Sequence, residues 1–162
     1  MKIKIGCILL LNLLIVSFCS AQQKNLKLDM KYQILSNNFQ VVNDSLDHKL
    51  GVATGSGSAM LKDGSNADVK VFFIYDYFAG DGNFTEYYVV TLTDGSKISI
   101  KAEGKSIGSL NGKDPLFSAK VTVYGGTGIY DSAHGYGTMT GNRREELISG
   151  TIVKLSFDII LK

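Results

Sequence analysis

The stretch VYGGTGIYDSAHGYGTMTG, residues 123–141, decides between a nucleotide-binding α/β unit and an all-β chain. An alternating run, FSAKVTVY (117–124), leads into glycines and then a short polar segment. A dinucleotide fingerprint needs glycine at its first, third and sixth positions, followed by a helix. From Gly126 the chain reads Gly-Thr-Gly-Ile-Tyr-Asp. The sixth place is held by Asp131, whose carboxylate would repel a pyrophosphate. The following SAHGYGTMTG has no helical apolar period, and the 123–141 stretch has no Gly-Lys-Ser/Thr to supply a Walker loop. The glycines fit a tight corner between strands instead, where a side chain would clash and the backbone must bend.

Working outward, the dominant pattern is alternation with period two. Leu26, Leu28, Met30, Tyr32 and Ile34 alternate with Lys27, Asp29, Lys31 and Gln33. Runs at 54–61, 69–78, 86–92, 98–103, 120–124, 135–140 and 151–161 complete eight predicted strands. The third is apolar on both faces: Val69, Val71, Phe73, Tyr75 and Tyr77 on one, Phe72, Ile74 and Phe78 on the other. KDG (62–64), GDGN (80–83) and TDGS (93–96) are hairpin turn signals, since Asp-Gly supplies the positive φ these turns require. The single proline, Pro115, falls between strands. Short strands at regular spacing predict one antiparallel barrel or sandwich.

Ahead of this domain, Lys2 and Lys4 precede the apolar CILLLNLLIVSFC (7–19) and the small-residue end SAQQ (20–23). This predicts a secretory signal peptide over 1–21, cut after Ala21, and a single domain over 22–162 that is secreted or periplasmic. A lipoprotein cut at Cys19 is disfavoured by bulky Phe18, which stands where a small residue is wanted. Removal takes both cysteines, Cys7 and Cys19, so the mature domain has no thiol chemistry and rests on its apolar core. It also leaves basic and acidic residues equal at 15 each. That balance argues against a nucleic-acid partner and against polybasic membrane docking, and no membrane insertion is expected after signal removal.

The segment GGTGIYDSAHGYG (125–137) resembles the C-terminal signature of the allene oxide cyclase and dirigent barrels, Gly-Gly-Thr-Gly, any residue, Phe, Arg, any residue, Ala, Arg, Gly, Tyr, Ala. Gly125, Gly126, Thr127 and Gly128 match. Tyr130 stands for the Phe, and Ala133, Gly135 and Tyr136 match. GVATGSGSAML (51–61) is similar to that clan's small-residue second strand, and TIVKLSFDII (151–160) has the placement of its last strand. A bacterial family with a similar barrel shares the layout. The resemblance implies an eight-stranded antiparallel β-barrel, assembled as a homotrimer, whose lumen binds a small apolar molecule without a cofactor. Asp131 and His134 replace the two arginines of the dirigent signature, which puts dirigent chemistry in doubt.

Two classes of function follow. One is a cofactor-free isomerase, cyclase or carrier with a ligand in the lumen. Its candidate catalytic groups are Glu86, Glu103, Asp131 and His134. Its candidate ligand-binding groups are Tyr75, Tyr77, Tyr88, Tyr130 and Tyr136. A carboxyl desolvated in a lumen has a raised pKa and can exchange a proton, and tyrosines offer stacking surface with a polar tip. The other class is a non-catalytic binding or structural barrel whose lumen is filled by its own side chains. A cavity of about 300–1,000 Å³ with inward carboxylates would favour the first. His48, in the polar NDSLDHK (43–49), is expected to be exposed. The two histidines lie far apart without HxH or HExxH spacing, so no metal site is expected.

Overall fold

A computed structural model describes residues 24–44 and 47–162; the expected leader over 1–21 lies outside the described residues. Eight strands follow one another: β1 (Lys24–Val41), β2 (His48–Leu61), β3 (Asn66–Phe78), β4 (Asp81–Leu92), β5 (Lys97–Ile107), β6 (Leu116–Thr127), β7 (Gly135–Arg143) and β8 (Ile152–Leu161). They form one closed barrel in sequence order, every pair antiparallel. Closure is made by β1 and β8, in register from Lys24 opposite Leu161 to Gln33 opposite Ile152. It excludes the sandwich alternative. Among the described residues there is no α-helix, only a 3-10 turn at Gly128–Tyr130.

Alternation assigns the two faces. Leu26, Leu28, Met30, Tyr32 and Ile34 of β1 are buried inside, while Lys27, Asp29, Lys31 and Gln33 face out. The inward rows of β3, β4, β5, β6 and β8 join them in one continuous core. Two bulges adjust this scheme. In β1 the register to β2 steps between Ile34 and Ser36, which expels Leu35 and turns Asn37 toward the lumen. In β6 the step opposite Ser99 and Ile100 expels Tyr124. A bulge adds one unpaired residue, so the residues beyond it exchange faces.

The small residues of β2 have a packing role. A Cβ on Gly55 would sit 2.7 Å from the Tyr32 ring, and one on Gly51 would collide with the Tyr75 ring. Strand β2 is therefore thin on its inner face where two large tyrosines enter the lumen. Most of that lumen is filled. The rings of Tyr88 and Phe157 meet edge to face at 5.2 Å, as do those of Phe84 and Phe117 at 5.9 Å. Such contacts add to the burial of the rings themselves.

The corner at 125–131 is a turn that takes up several of its own backbone donors. The Ile129 N–H donates to Ser96 Oγ (3.1 Å), Asp131 N–H to the Gly128 carbonyl (3.0 Å) and Ala133 N–H to the Tyr130 carbonyl (3.0 Å). These donors are consumed by the turn, which lays Tyr130 across one end of the barrel as a buried plug. Gly128 has φ +64°, and a Cβ there would also run into the Ser96 side chain. Gly128→Ala is expected to lower stability by about 1–3 kcal/mol through this strain. A thermal melt checks this, and millimolar ATP or phosphate should leave the wild-type melting temperature unchanged.

Candidate functional site

The end of the barrel opposite Tyr130 gathers most of the buried polar side chains, among them Ser106, Arg143 and Thr151, with Glu86 further down the lumen. Glu86, in the middle of β4, points inward because it shares parity with Phe84 and Tyr88. The residue is 6% exposed, in a lumen lined mainly by apolar side chains. The Tyr32 hydroxyl donates to Glu86 Oε1 at 3.3 Å, while Oε2 has no hydrogen-bond partner among the described residues. The Tyr88 hydroxyl is likewise buried and unpartnered among them. Burial pushes the Glu86 pKa up to about 8; the Tyr32 hydrogen bond and the charge of Arg143 oppose this without cancelling it. Glu86 is thus chiefly a neutral acid at pH 7, with an oxygen free to donate or accept a proton.

Above Glu86 sits Arg143, the last residue of β7 and only 3% exposed. It lies in one cross-strand row with Val153 of β8 and Tyr32 of β1. Its Nε donates to the Glu145 carbonyl (3.1 Å) and its Nη2 to the Gly112 carbonyl (3.2 Å). Those carbonyls belong to the β7–β8 and β5–β6 loops, so Arg143 ties both loops over the barrel mouth. Its guanidinium also lies 5.6 Å from the centre of the Phe117 ring. Burial lowers the Arg143 pKa, and the phenols of Tyr77, Tyr32 and Tyr75 act against that shift.

Tyr75 and Tyr77 complete the mouth, stacked with ring centres 4.7 Å apart. The Tyr75 hydroxyl donates to Asn37 Oδ1 (2.7 Å), and Asn37 Nδ2 donates to the Leu147 carbonyl (2.6 Å). Burial raises both phenol pKa values, so both hydroxyls stay protonated at neutral pH. Asn37, Tyr75, Tyr77 and Arg143 line a cavity of about 170 Å³ whose rim includes Phe39, Asp47, Lys49 and Glu146. Larger hollows lie elsewhere. One of about 530 Å³ runs along 142–154 on the outer surface, and its side chains other than Arg143 and Thr151 are not buried. Another, of about 430 Å³, lies beside Tyr130 at the opposite end. None of the three hollows is lined by a buried carboxyl.

The residues singled out from sequence are distributed as follows. Glu86, Tyr75, Tyr77 and Tyr88 point into the lumen. Glu103 has the opposite parity to Ala102, faces out, and pairs with Lys101 at 2.7 Å. Asp131 and His134 are exposed at the far end of the barrel, and Tyr136 lies on its outer wall beneath the Lys162 ammonium. Tyr130 is the plug at that same far end. The structure therefore does not bring Glu103, Asp131, His134, Tyr130 or Tyr136 to Glu86. Arg143, Tyr32 and Asn37 were missed, although Arg143 continues the inward row of Met139 and Gly141.

The expectation of an exposed His48 is corrected. Its ring is buried, stacked 3.8 Å from Phe78, with Nδ1 2.7 Å from Asp44 and Nε2 2.8 Å from Asp76. Two carboxylates on one imidazole call for two N–H donors, hence the imidazolium. The hydrogen bond to Asp44 leads the causes that raise its pKa. A raised histidine pKa contributes stability in acid that is lost as pH rises through it. Among the described residues, no group of three or more His, Cys, Asp or Glu is placed to hold a metal ion.

The chain matches no protein-family model, and comparison with curated proteins finds no match.

The Glu86 geometry has a signed consequence. Its folded pKa lies above the unfolded value, so the folded state binds more protons between about pH 4.5 and 8. Stability should fall as pH rises through that window. Glu86→Gln removes the titration while keeping the shape. The variant is expected to be more stable than wild type at pH 8 by on the order of 3 kcal/mol, roughly 5–10 °C in melting temperature. The gap should close toward pH 4. Melts of both proteins across this range check it.

Proposed function

We propose that the protein is an exported binding barrel that takes a small, largely apolar ligand at the Arg143 end of its lumen. The observation that carries this reading is Glu86. A buried carboxyl with one oxygen unpartnered is costly in a barrel that serves only as structure. An apolar side chain of similar size would serve a purely structural core better. The tyrosine-walled cavity is lined by Asn37, Tyr75, Tyr77 and Arg143 and stops short of Glu86, so a ligand meets that group only by entering further down the lumen. The cavity of about 170 Å³ lies below the usual range for a drug-sized site. It slightly exceeds the roughly 150 Å³ that holds a benzene molecule. The ligand is therefore ring-sized, or inserts one ring-sized end. With Glu86 neutral and Tyr77 and Tyr32 nearby, cofactor-free proton transfer to such a ligand is the catalytic extension of this reading.

The resemblance to the allene oxide cyclase and dirigent clan supports a small-molecule barrel. Export rests on the N-terminal leader pattern. An apolar inside and a charged outside, as on β1 with Lys27, Asp29 and Lys31, reverse the pattern of membrane-spanning barrels and support an aqueous setting. The second reading, a structural barrel with a filled lumen, is favoured by the aromatic packing of Tyr88, Phe157, Phe84 and Phe117. Amide NMR during titration with benzyl alcohol, a neutral ring-sized probe, separates the two. Binding should shift Asn37, Tyr75, Tyr77 and Arg143 together; a filled barrel would show no saturable change.

We also propose self-association as a homotrimer. Leu50, Val52, Phe72, Ile74, Phe78 and Val89 are exposed on the outer wall of β2–β4, with Val52 directly opposite Ile74. A patch of this kind on a monomer is unusual. Sedimentation at micromolar concentration should give the trimer mass, and a clean monomer would refute it.

A further inference from the structure

We infer that the mouth is an anion site whose ligand carries a carboxylate, held by the Arg143 guanidinium above the ring-sized cavity. This rests on the mouth being the binding site, and it names the chemistry of the ligand's polar end. Arg143 is almost wholly buried, yet no carboxylate among the described residues lies within ion-pair distance of it. The acids of the rim are engaged elsewhere: Asp47 pairs with Lys49, and Glu146 lies 3.9 Å from Lys113. Glu86, the acid inside the lumen, is held chiefly neutral by its burial. Two carbonyl dipoles and the face of Phe117 meet part of the guanidinium. Buried cations are ordinarily matched by a charge, because desolvation is otherwise uncompensated.

A guanidinium has five N–H donors in a planar fork. Two bonds go to the loop carbonyls, the Tyr77 phenol lies close by, and the donors that remain belong to a side chain that lines the cavity. That fork matches a carboxylate. Asp47 and Glu146 on the rim disfavour a doubly charged phosphate and leave a single negative charge as the better fit. The stacked rings of Tyr75 and Tyr77 would flank the apolar part.

The test compares benzoate with benzyl alcohol, which differ at the polar end while sharing the ring. Binding to the mature wild-type protein is followed at about pH 7.5, where inorganic phosphate is mainly doubly charged, by calorimetry and amide NMR, with inorganic phosphate as a competitor. Benzoate should bind about tenfold or more tightly than benzyl alcohol, the scale of one charge-assisted hydrogen-bonded pair. Phosphate should not displace it. Arg143→Gln should abolish the preference for benzoate over benzyl alcohol, while Arg143→Lys keeps part of it. Should Arg143→Gln not fold, the wild-type ratio and Arg143→Lys decide. Equal binding of the two probes, or displacement by phosphate, would overturn the carboxylate inference and leave the mouth reading standing. Failure of both probes to bind would overturn the mouth reading itself.

Discussion

Pairing of β1 with β8 is the interaction on which the rest of the molecule depends. Without it the sheet is open, and its inner face can spread or meet another sheet. With it, the inner face becomes a lumen of fixed girth, and each inward side chain must share that volume with those from seven other strands. Glycine and alanine along β2 are the counterpart of Tyr32 and Tyr75, which could not otherwise enter. The size of the cavity is a residue of this packing, set by where large and small side chains alternate around the ring.

Closure also fixes the chemistry of what it encloses. A carboxyl on an open sheet would turn to water, whereas Glu86 sits within the ring and, among the described residues, is hydrogen-bonded only by the Tyr32 hydroxyl. Arg143 at the strand end escapes no better, because the two loops it holds fold over it. The charges are not combined into a tight ion pair. One is suppressed by protonation, and the other is left to carbonyls, an aromatic face and the cavity. Unmatched polarity of this kind lowers stability and is a common mark of a site.

Much of the fold was legible because alternation is a local signal. The inward row from Leu26 to Ile34 could be read residue by residue. The signal failed where geometry depends on distant chain. Beyond Ile34 the bulge at Leu35 breaks the period, so the upper half of β1 and inward-facing Asn37 were not seen. Arg143 follows glycines at 135, 137 and 141, which carry no side-chain pattern to extend. His48 looked solvated in its polar segment, but Asp76 and Phe78 arrive from another strand to enclose it. Glu103 opposes Ile98, Ile100 and Ala102 along its strand, so alternation alone turns it outward, whereas Glu86 shares parity with Phe84 and Tyr88 and lies inside. The glycine corner was readable as a bend, whereas its use as a plug for the barrel required Tyr130 to be placed.

The protonation of Glu86 can be observed directly. With side-chain carboxyl carbons labelled, the Glu86 Cδ resonance is followed by NMR from about pH 3 to pH 10. A carboxyl enclosed by the closed lumen should titrate with a midpoint near 8, far from the exposed glutamates, and give the shift of a neutral acid at pH 7. A midpoint near 4.5, the ordinary glutamate value, would mean that water or a full ion pair reaches Glu86, and would contradict a dry lumen holding a neutral acid.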